Sequence, residues 1–231
     1  MYKGKSFLAI IPARGGSKRL PRKNVLDLAG KPLIAWTIEA AQKSKFIDRV
    51  IVSTDDAEIE AVAHKWTTET IKRPSSLATD TATSVDVVLH VIEAVEEKYD
   101  YVVLLQPTSP LRTTIHIDEA IELLIEKSAD AIISVCEVEH NPLWCNTIPE
   151  DGSMQSFIKD ESKNKRSQDL PKYYRLNGAV YICNTRKLLN EKNFFLNDNI
   201  YAYMMAKYNS IDIDTDIDFI VAEVIKGTIH V

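Results

Sequence analysis

Phe7-Leu8-Ala9-Ile10-Ile11-Pro12-Ala13-Arg14-Gly15-Gly16-Ser17-Lys18-Arg19-Leu20-Pro21-Arg22-Lys23-Asn24 joins an apolar run to a cationic loop. The run from Phe7 to Ile11 has the length and composition of a buried strand. The loop then places Arg14, Lys18, Arg19, Arg22 and Lys23 within ten positions, with no acid among them. Such crowding of like charge calls for an anion. The glycine pair would let backbone N–H groups of Gly15 and Gly16 approach it, and the Arg and Lys side chains would add charge-assisted hydrogen bonds. The chain as a whole has a formal net charge of −5, so this is a local trap for a polyphosphate and not one corner of a basic surface. Neither the G-x-x-x-x-G-K-[ST] of a P-loop nor the G-x-G-x-x-G of a dinucleotide fold is present. A solvated basic loop is the plain alternative, but two glycines and a strand end seldom accompany such charge density.

Outward from this stretch, further strand-like runs at Val50 to Val52, Tyr101 to Leu105 and Ala131 to Val135 alternate with segments of helical period. That rhythm predicts an α/β fold, a mostly parallel sheet flanked by helices. Pro32 suits the first turn of a helix whose stripe is Leu33, Trp36, Thr37, Ala40 and Ala41. Val85, Val88, Leu89 and Ile92 form a second apolar face, and Ile117, Ala120, Ile121 and Leu124 a third. A last helix carries Ile217, Ile220, Val221, Val224 and Ile225, begins near Thr215 and is expected to stop at Gly227.

At 231 residues the chain is read as one domain, 1–231, with 45% hydrophobic and 26% charged residues and only 7 Gly and 9 Pro. These values fit an ordinary soluble domain without long linkers. No apolar run approaches the roughly 20 residues that cross a bilayer, so neither a membrane partner nor a signal-peptide core is expected, and a cytoplasmic location follows by default. Cys136, Cys145 and Cys183 are widely spaced and read as reduced core or near-core thiols. His64, His90, His116, His140 and His230 show no metal-ligand spacing and no triad pattern.

From about His140 to Tyr174 the rhythm fails. Pro142, Asn146, Pro149, Asp151-Gly152 and the charged run Lys159 to Arg166 make a stretch too long for an ordinary loop. The expectation is an excursion, 140–174, with a hairpin pairing Leu143 to Ile148 with Met154 to Ile158, packed against a second subunit.

Ligands of open parallel sheets bind beyond the carboxyl ends of the strands. The residues to read are therefore the cationic loop, Ser53-Thr54-Asp55-Asp56, and Gln106-Pro107-Thr108-Ser109-Pro110-Leu111-Arg112. In Ile211-Asp212-Ile213-Asp214, an extended chain would bury the isoleucines and project both carboxylates from the other face. Two parallel carboxylates repel unless a cation lies between them, and Mg²⁺ is commonly held by one or two carboxylates with phosphate oxygens completing its shell. Asp216 and Asp218 instead suit the positive end of the following helix.

Four motifs in order resemble the CMP-sialic acid synthetases, or N-acylneuraminate cytidylyltransferases, over nearly the whole chain. They are Ile10 to Lys18 with Lys23-Asn24, Leu105 to Arg112, Asn177-Gly178-Ala179-Val180-Tyr181-Ile182, and Ile211 to Thr215. The resemblance implies a Rossmann-like nucleotidyltransferase fold, an enzyme that couples CTP to an acidic nine-carbon sugar with Mg²⁺, and a homodimer. It further implies that Arg14, Gly15, Ser17, Lys18 and Lys23 meet the CTP phosphates, that Asn24, Arg73 and Ser84 fix the nucleoside, and that Asp212 and Asp214 carry the metal. Its sugar set is Gln106, Arg166 (with Lys165 as the fallback), Asn177, Tyr181, Phe194 and Phe195, some of it reaching across the dimer. Pseudaminic, legionaminic or 3-deoxy-manno-octulosonic acid could replace the sialic acid, and a non-catalytic nucleotide-binding module is the rival from another class. A nucleic-acid partner is disfavoured by the acidic net charge and the confinement of cations to one loop.

Overall fold

In the computed structural model, which describes residues 1–160 and 162–228, the strands are β1 (Phe7–Pro12), β2 (Asp27–Leu28), β3 (Lys31–Pro32), β4 (Arg49–Thr54), β5 (Glu69–Lys72), β6 (Tyr101–Leu104), β7 (Ala131–Glu137), β8 (Tyr174–Asn184) and β9 (Ile200–Met204). The helices are α1 (Leu33–Gln42), α2 (Ala57–Lys65), α3 (Ser84–Ala94), α4 (Thr114–Glu126), α5 (Thr185–Glu191) and α6 (Asp216–Thr228). Seven strands form one sheet in the order β5-β4-β1-β6-β8-β7-β9, and β2 and β3 pair as a separate two-stranded ribbon. Only β8 runs against its neighbours, pairing antiparallel with β6 and β7. The expected mostly parallel α/β architecture is therefore present.

β1 shows why its residues make a central strand. Phe7, Ala9 and Ile11 pack into the layer that contains Ile34 and Ile38 of α1, Ile59 and Ala63 of α2, and Ile117, Ile121 and Leu124 of α4. Leu8 and Ile10 point the other way, toward Val88 and Val91 of α3, Leu188 of α5 and Phe194. Period-2 alternation thus feeds two cores, one on each face, as in a sheet covered on both sides. The chain leaves β1 toward β4 and β5 on one side, then returns to lay β6 on the other. The loops after β1 and β6 diverge at this switch point, where such a fold opens a crevice.

Several expectations are corrected. No strand occurs within 143–148 or 154–158; instead of a ladder, Asn146 Nδ2 donates across the turn to the Ser156 and Phe157 carbonyls at 3.4 and 3.2 Å. Pro142 and Pro149 cannot donate to a ladder, and Ile148 and Met154 lie exposed without a core to pair over. Within the charged run, Glu161 lies outside the described residues, as does His230 near the end of the chain. Pro32 precedes the first helical residue of α1 and sits at its N-cap instead of in its first turn. Gly227 lies inside α6, which continues to Thr228, whose hydroxyl donates to the Val224 and Ile225 carbonyls. The apolar stripe Ile217, Ile220, Val221 and Val224 faces outward, while α6 packs through Ala222 and Phe219 against Leu28, Leu33 and Trp36. Cys136 and Cys183 are buried as expected, but Cys145 is exposed. Among the described residues, no helix is long and apolar enough to cross a membrane.

Candidate active site

Pro12 ends β1, and the cationic loop begins two residues later, at Arg14, as one wall of a cleft of about 480 Å³. Arg14, Ser17, Lys18, Lys23, Asn24, Arg73, Ser84, Gln106 and Asp214 all line it. Residues up to 200 positions apart in sequence are therefore gathered at the switch point, as the strand-end argument requires.

The loop is held from behind. Asn24 is buried, donates from Nδ2 to the Arg14 carbonyl at 3.0 Å, and leaves its buried Oδ1 without a partner. The Gly15 N–H donates to Asp55 Oδ1 at 3.1 Å, so that donor is engaged by the loop after β4 and not by the cleft. A Cβ on Gly15 would lie 2.6 Å from Asp56 Oδ2, whereas Gly16 has nothing within 4 Å. Neither glycine has a positive φ. Close approach to Asp56, the N-cap of α2, is the reason Gly15 lacks a side chain, a correction to the reading in which both glycines served the anion.

The cations are met by acids from the facing walls. Asp80, from the strap before α3, bridges Arg14 at 3.0 Å and Lys18, and its carboxyl is held below the usual range by those two groups. Arg14 also donates to the Thr79 carbonyl at 3.0 Å. Asp214 takes Arg19 at 2.9 Å and Lys23 at 3.3 Å. Sequence reading missed Asp80, which stands in the polar run Thr79-Asp80-Thr81 with no periodic signal. Arg73 follows β5, is buried, and donates from Nη2 to the Ser53 carbonyl at 2.8 Å, with no carboxylate in ion-pair range among the described residues. Burial pushes its pKa down to about 10. Ser84 opens α3, whose N-terminus is closed by a Thr83–Asp86 capping box.

The carboxylate pair follows the alternation read from the sequence. Ile213 is buried, Ile211 packs beside it, and the Ile213 N–H donates to the Thr108 carbonyl at 2.8 Å. Asp212 Oδ1 is buried with no hydrogen-bond partner. Burial raises the Asp212 pKa and the charge of Asp214 adds to this, against the opposing effects of Thr108, Lys23 and Arg175. A buried, unpartnered carboxylate oxygen beside a second carboxylate fits a hard divalent cation. Among the described residues no three His, Cys, Asp or Glu side chains converge, so such an ion would rest on these two and on a ligand's oxygens.

The sugar set divides. Gln106 reaches the cleft, and its amide packs against Gly178, whose φ of 71° favours glycine; a Cβ there would lie 2.9 Å from Gln106 Oε1, so the Gln106 amide would have to shift. Tyr181 is half-buried on β8, and its hydroxyl is raised by burial and by the charge of Asp212. Phe194 is buried edge-on to Tyr181 at 5.8 Å, whereas Phe195 is exposed. Asn177 lies beneath the cleft in a closed network: Ser134 donates to its Oδ1 at 2.6 Å, and its Nδ2 donates to Ser210 Oγ at 2.9 Å. Arg166 lies away from this cleft, exposed and paired with Asp169 at 3.0 Å; neighbouring Lys165 is exposed too.

The sequence model of a family described as cytidylyltransferase matches residues 8–224. An N-acylneuraminate cytidylyltransferase of Streptococcus agalactiae serotype V is 41% identical over 215 residues, 92% of this chain and 51% of that protein. A CMP-N,N'-diacetyllegionaminic acid synthase of Legionella pneumophila is 37% identical over 227 residues, 94% of each chain. The chain thus spans about half the length of the first relative and nearly all of the second. The structure of a CMP:2-keto-3-deoxy-manno-octonic acid synthetase complexed with CTP superposes with a TM-score of 0.73 at 18% identity, covering 96% of this chain and 99% of that one, a likeness of fold alone.

Proposed function

The chain belongs to the cytidylyltransferase family, and on that premise we propose that it couples CTP to a sialic-type acid, releasing pyrophosphate and forming the CMP-sugar. The observation that carries this reading is the cleft in which Arg14, Lys18 and Lys23 stand with Asp214 in an array suited to a triphosphate, with the unpartnered Asp212 Oδ1 two residues before Asp214 and outside the cleft lining. The anomeric hydroxyl oxygen of the sugar attacks the α-phosphorus in line and gives up its proton to solvent water, the bond to the bridging oxygen breaks, and pyrophosphate leaves with the electron pair. Such chemistry needs positioning and charge neutralisation above all.

Arg14, Lys18 and Lys23 receive the phosphates, exchanging Asp80 and Asp214 for phosphate oxygens. The free acceptor of Asn24, the buried Arg73 and Ser84 at the start of α3 hold the nucleoside. Asp212 and Asp214 would hold Mg²⁺, which would supply charge neutralisation of the phosphates and Lewis-acid polarisation of the α-phosphorus. Gln106, Tyr181 and exposed Phe195 present the sugar from the β8 side. The excursion 140–174 of a second copy brings Arg166 to the sugar carboxylate, whose geometry its planar fork matches.

The second reading is a related acid, favoured by the Legionella relative that this chain matches end to end. Incubation with CTP, Mg²⁺ and, in turn, N-acetylneuraminic, legionaminic, pseudaminic and 3-deoxy-manno-octulosonic acids decides between them by pyrophosphate release and product mass. A CMP adduct of the sialic acid is expected. CTP binding without turnover on any acid would instead identify a nucleotide-binding module.

A further inference from the structure

Among the described residues, Arg112 is the largest fully buried side chain, and no carboxylate lies in ion-pair range of it. Its acceptors are neutral: Nη1 donates to the Gln106 carbonyl at 3.2 Å and the Ala179 carbonyl at 3.1 Å, and Nη2 to Thr37 Oγ1 at 2.6 Å. Nε is buried without a partner. Burial alone pushes the guanidinium down to about 9. Burying an unpaired charge is costly, and a leucine or methionine could fill the volume. What only a guanidinium supplies is a rigid fork that reaches three elements together: the loop after β6, β8 and α1.

That loop carries two parts of the cleft. Gln106 at its start packs against Gly178, the residue before Ala179, so joining the Gln106 and Ala179 carbonyls sets the contact that aims the Gln106 amide. Farther on, the Thr108 carbonyl accepts the Ile213 N–H at 2.8 Å and the Leu111 carbonyl accepts Asn209 Nδ2 at 3.1 Å. The loop thus grips the carboxylate segment on both sides of Asp212. We propose that Arg112 is the positioning residue of the cleft, riveting the Gln106–Arg112 loop to β8 and α1 so that Gln106 and the Asp212–Asp214 segment hold their places. The effect on turnover rests on the CTP reading of the cleft; the geometric claim does not.

Arg112→Lys keeps the charge and removes the fork. The expected result is a folded protein by circular dichroism, kcat at least tenfold lower, a CTP dissociation constant within threefold of the parent, and at least tenfold faster hydrogen exchange at the Ile213 amide with β1 and β4 amides unchanged. Measured without Mg²⁺, CTP binding persists because Arg14, Lys18, Asn24 and Arg73 lie on other elements. Parental kcat and Ile213 protection in Arg112→Lys would overturn the proposal, since charge alone would then suffice. A lowered melting temperature with unchanged kcat per folded molecule and unchanged Ile213 exchange would overturn it as well, leaving Arg112 a core residue only. If Arg112→Lys does not fold, Thr37→Val, which removes one acceptor of the fork, decides: at least threefold faster Ile213 exchange supports the proposal and parental exchange refutes it. A parent that binds no CTP would sink the functional reading while Ile213 exchange still judged the rivet.

Discussion

Gly15 and Gly16 are neighbours in the cationic loop but meet different surroundings, and replacing each by alanine separates a structural constraint from a ligand contact. In Gly15→Ala the new Cβ would fall 2.6 Å from Asp56 Oδ2 and 2.9 Å from Asp56 Cβ. Rotating the carboxylate away does not relieve the second contact, so either the cap of α2 or the loop must move. Asp56 Oδ1 accepts the Glu58 and Ile59 N–H groups at 2.9 and 3.0 Å, and loss of such a cap costs about 1 kcal/mol. If the loop moves instead, the Gly15 N–H bond to the Asp55 carboxylate is lost, at about 1.5 to 3 kcal/mol. Gly15→Ala should therefore lower stability by about 1 to 3 kcal/mol, read as a shift in urea midpoint at constant slope. Gly16→Ala meets no atom within 4 Å and should stay within about 0.5 kcal/mol of the parent. If phosphate oxygens approach Gly16, its alanine variant should still raise the KM for CTP. Equal midpoints for the two variants would refute the reasoning.

Arg14→Ala and Lys18→Ala should each raise the KM for CTP tenfold or more and leave that for the sugar acid within about threefold, since a charge-assisted contact contributes about 1.5 to 3 kcal/mol; unchanged CTP kinetics would mean that the loop faces solvent. Light scattering should find a homodimer, and mixing inactive Arg166→Ala and Asp212→Asn subunits should restore activity; with exchange confirmed, no recovery would confine each site to one chain. A colorimetric thiol reagent should modify exposed Cys145 quickly in the native protein and Cys136 and Cys183 only on unfolding, because both are buried and burial pushes the Cys183 thiol up to about 12. Rapid reaction of all three would contradict the packing of β7 and β8.

What the sequence revealed follows from what periodicity encodes. Phe7 to Ile11 is an unbroken apolar run and Ile117, Ala120, Ile121 and Leu124 recur at helical spacing, and both sets are buried as read. On α3, Val88 is buried as read and Val87 and Val91 are buried beside it, while Val85, Leu89 and Ile92 flank them. Period alone does not say what covers a face: the α6 stripe is exposed, and Ala222 and Phe219 do the packing. β8 hid behind Gly178 and a register shift between Ile133 and Val135 that interrupts its pairing with β7. β5 and β9 are short edge strands with polar or aromatic residues and no alternation strong enough to mark them. The strand-end rule located the cationic loop and Gln106 in the cleft but also named Ser53 to Asp56, which do not line it, and the alternation in Ile211 to Asp214 located the carboxylates. Sequence could not tell a polar residue that faces ligand from one that closes a buried network, and Asn177 is the second kind.

Pyrophosphate release at saturating CTP and sugar acid, measured for the parent and for Asp212→Asn across a Mg²⁺ titration, tests the central claim most directly. The parent should require Mg²⁺ and lose activity with EDTA. Asp212→Asn should stay folded with turnover at least a hundredfold lower at every Mg²⁺ concentration, because it loses a metal ligand and not a core contact. Parental Mg²⁺-dependent rates in Asp212→Asn would contradict the account.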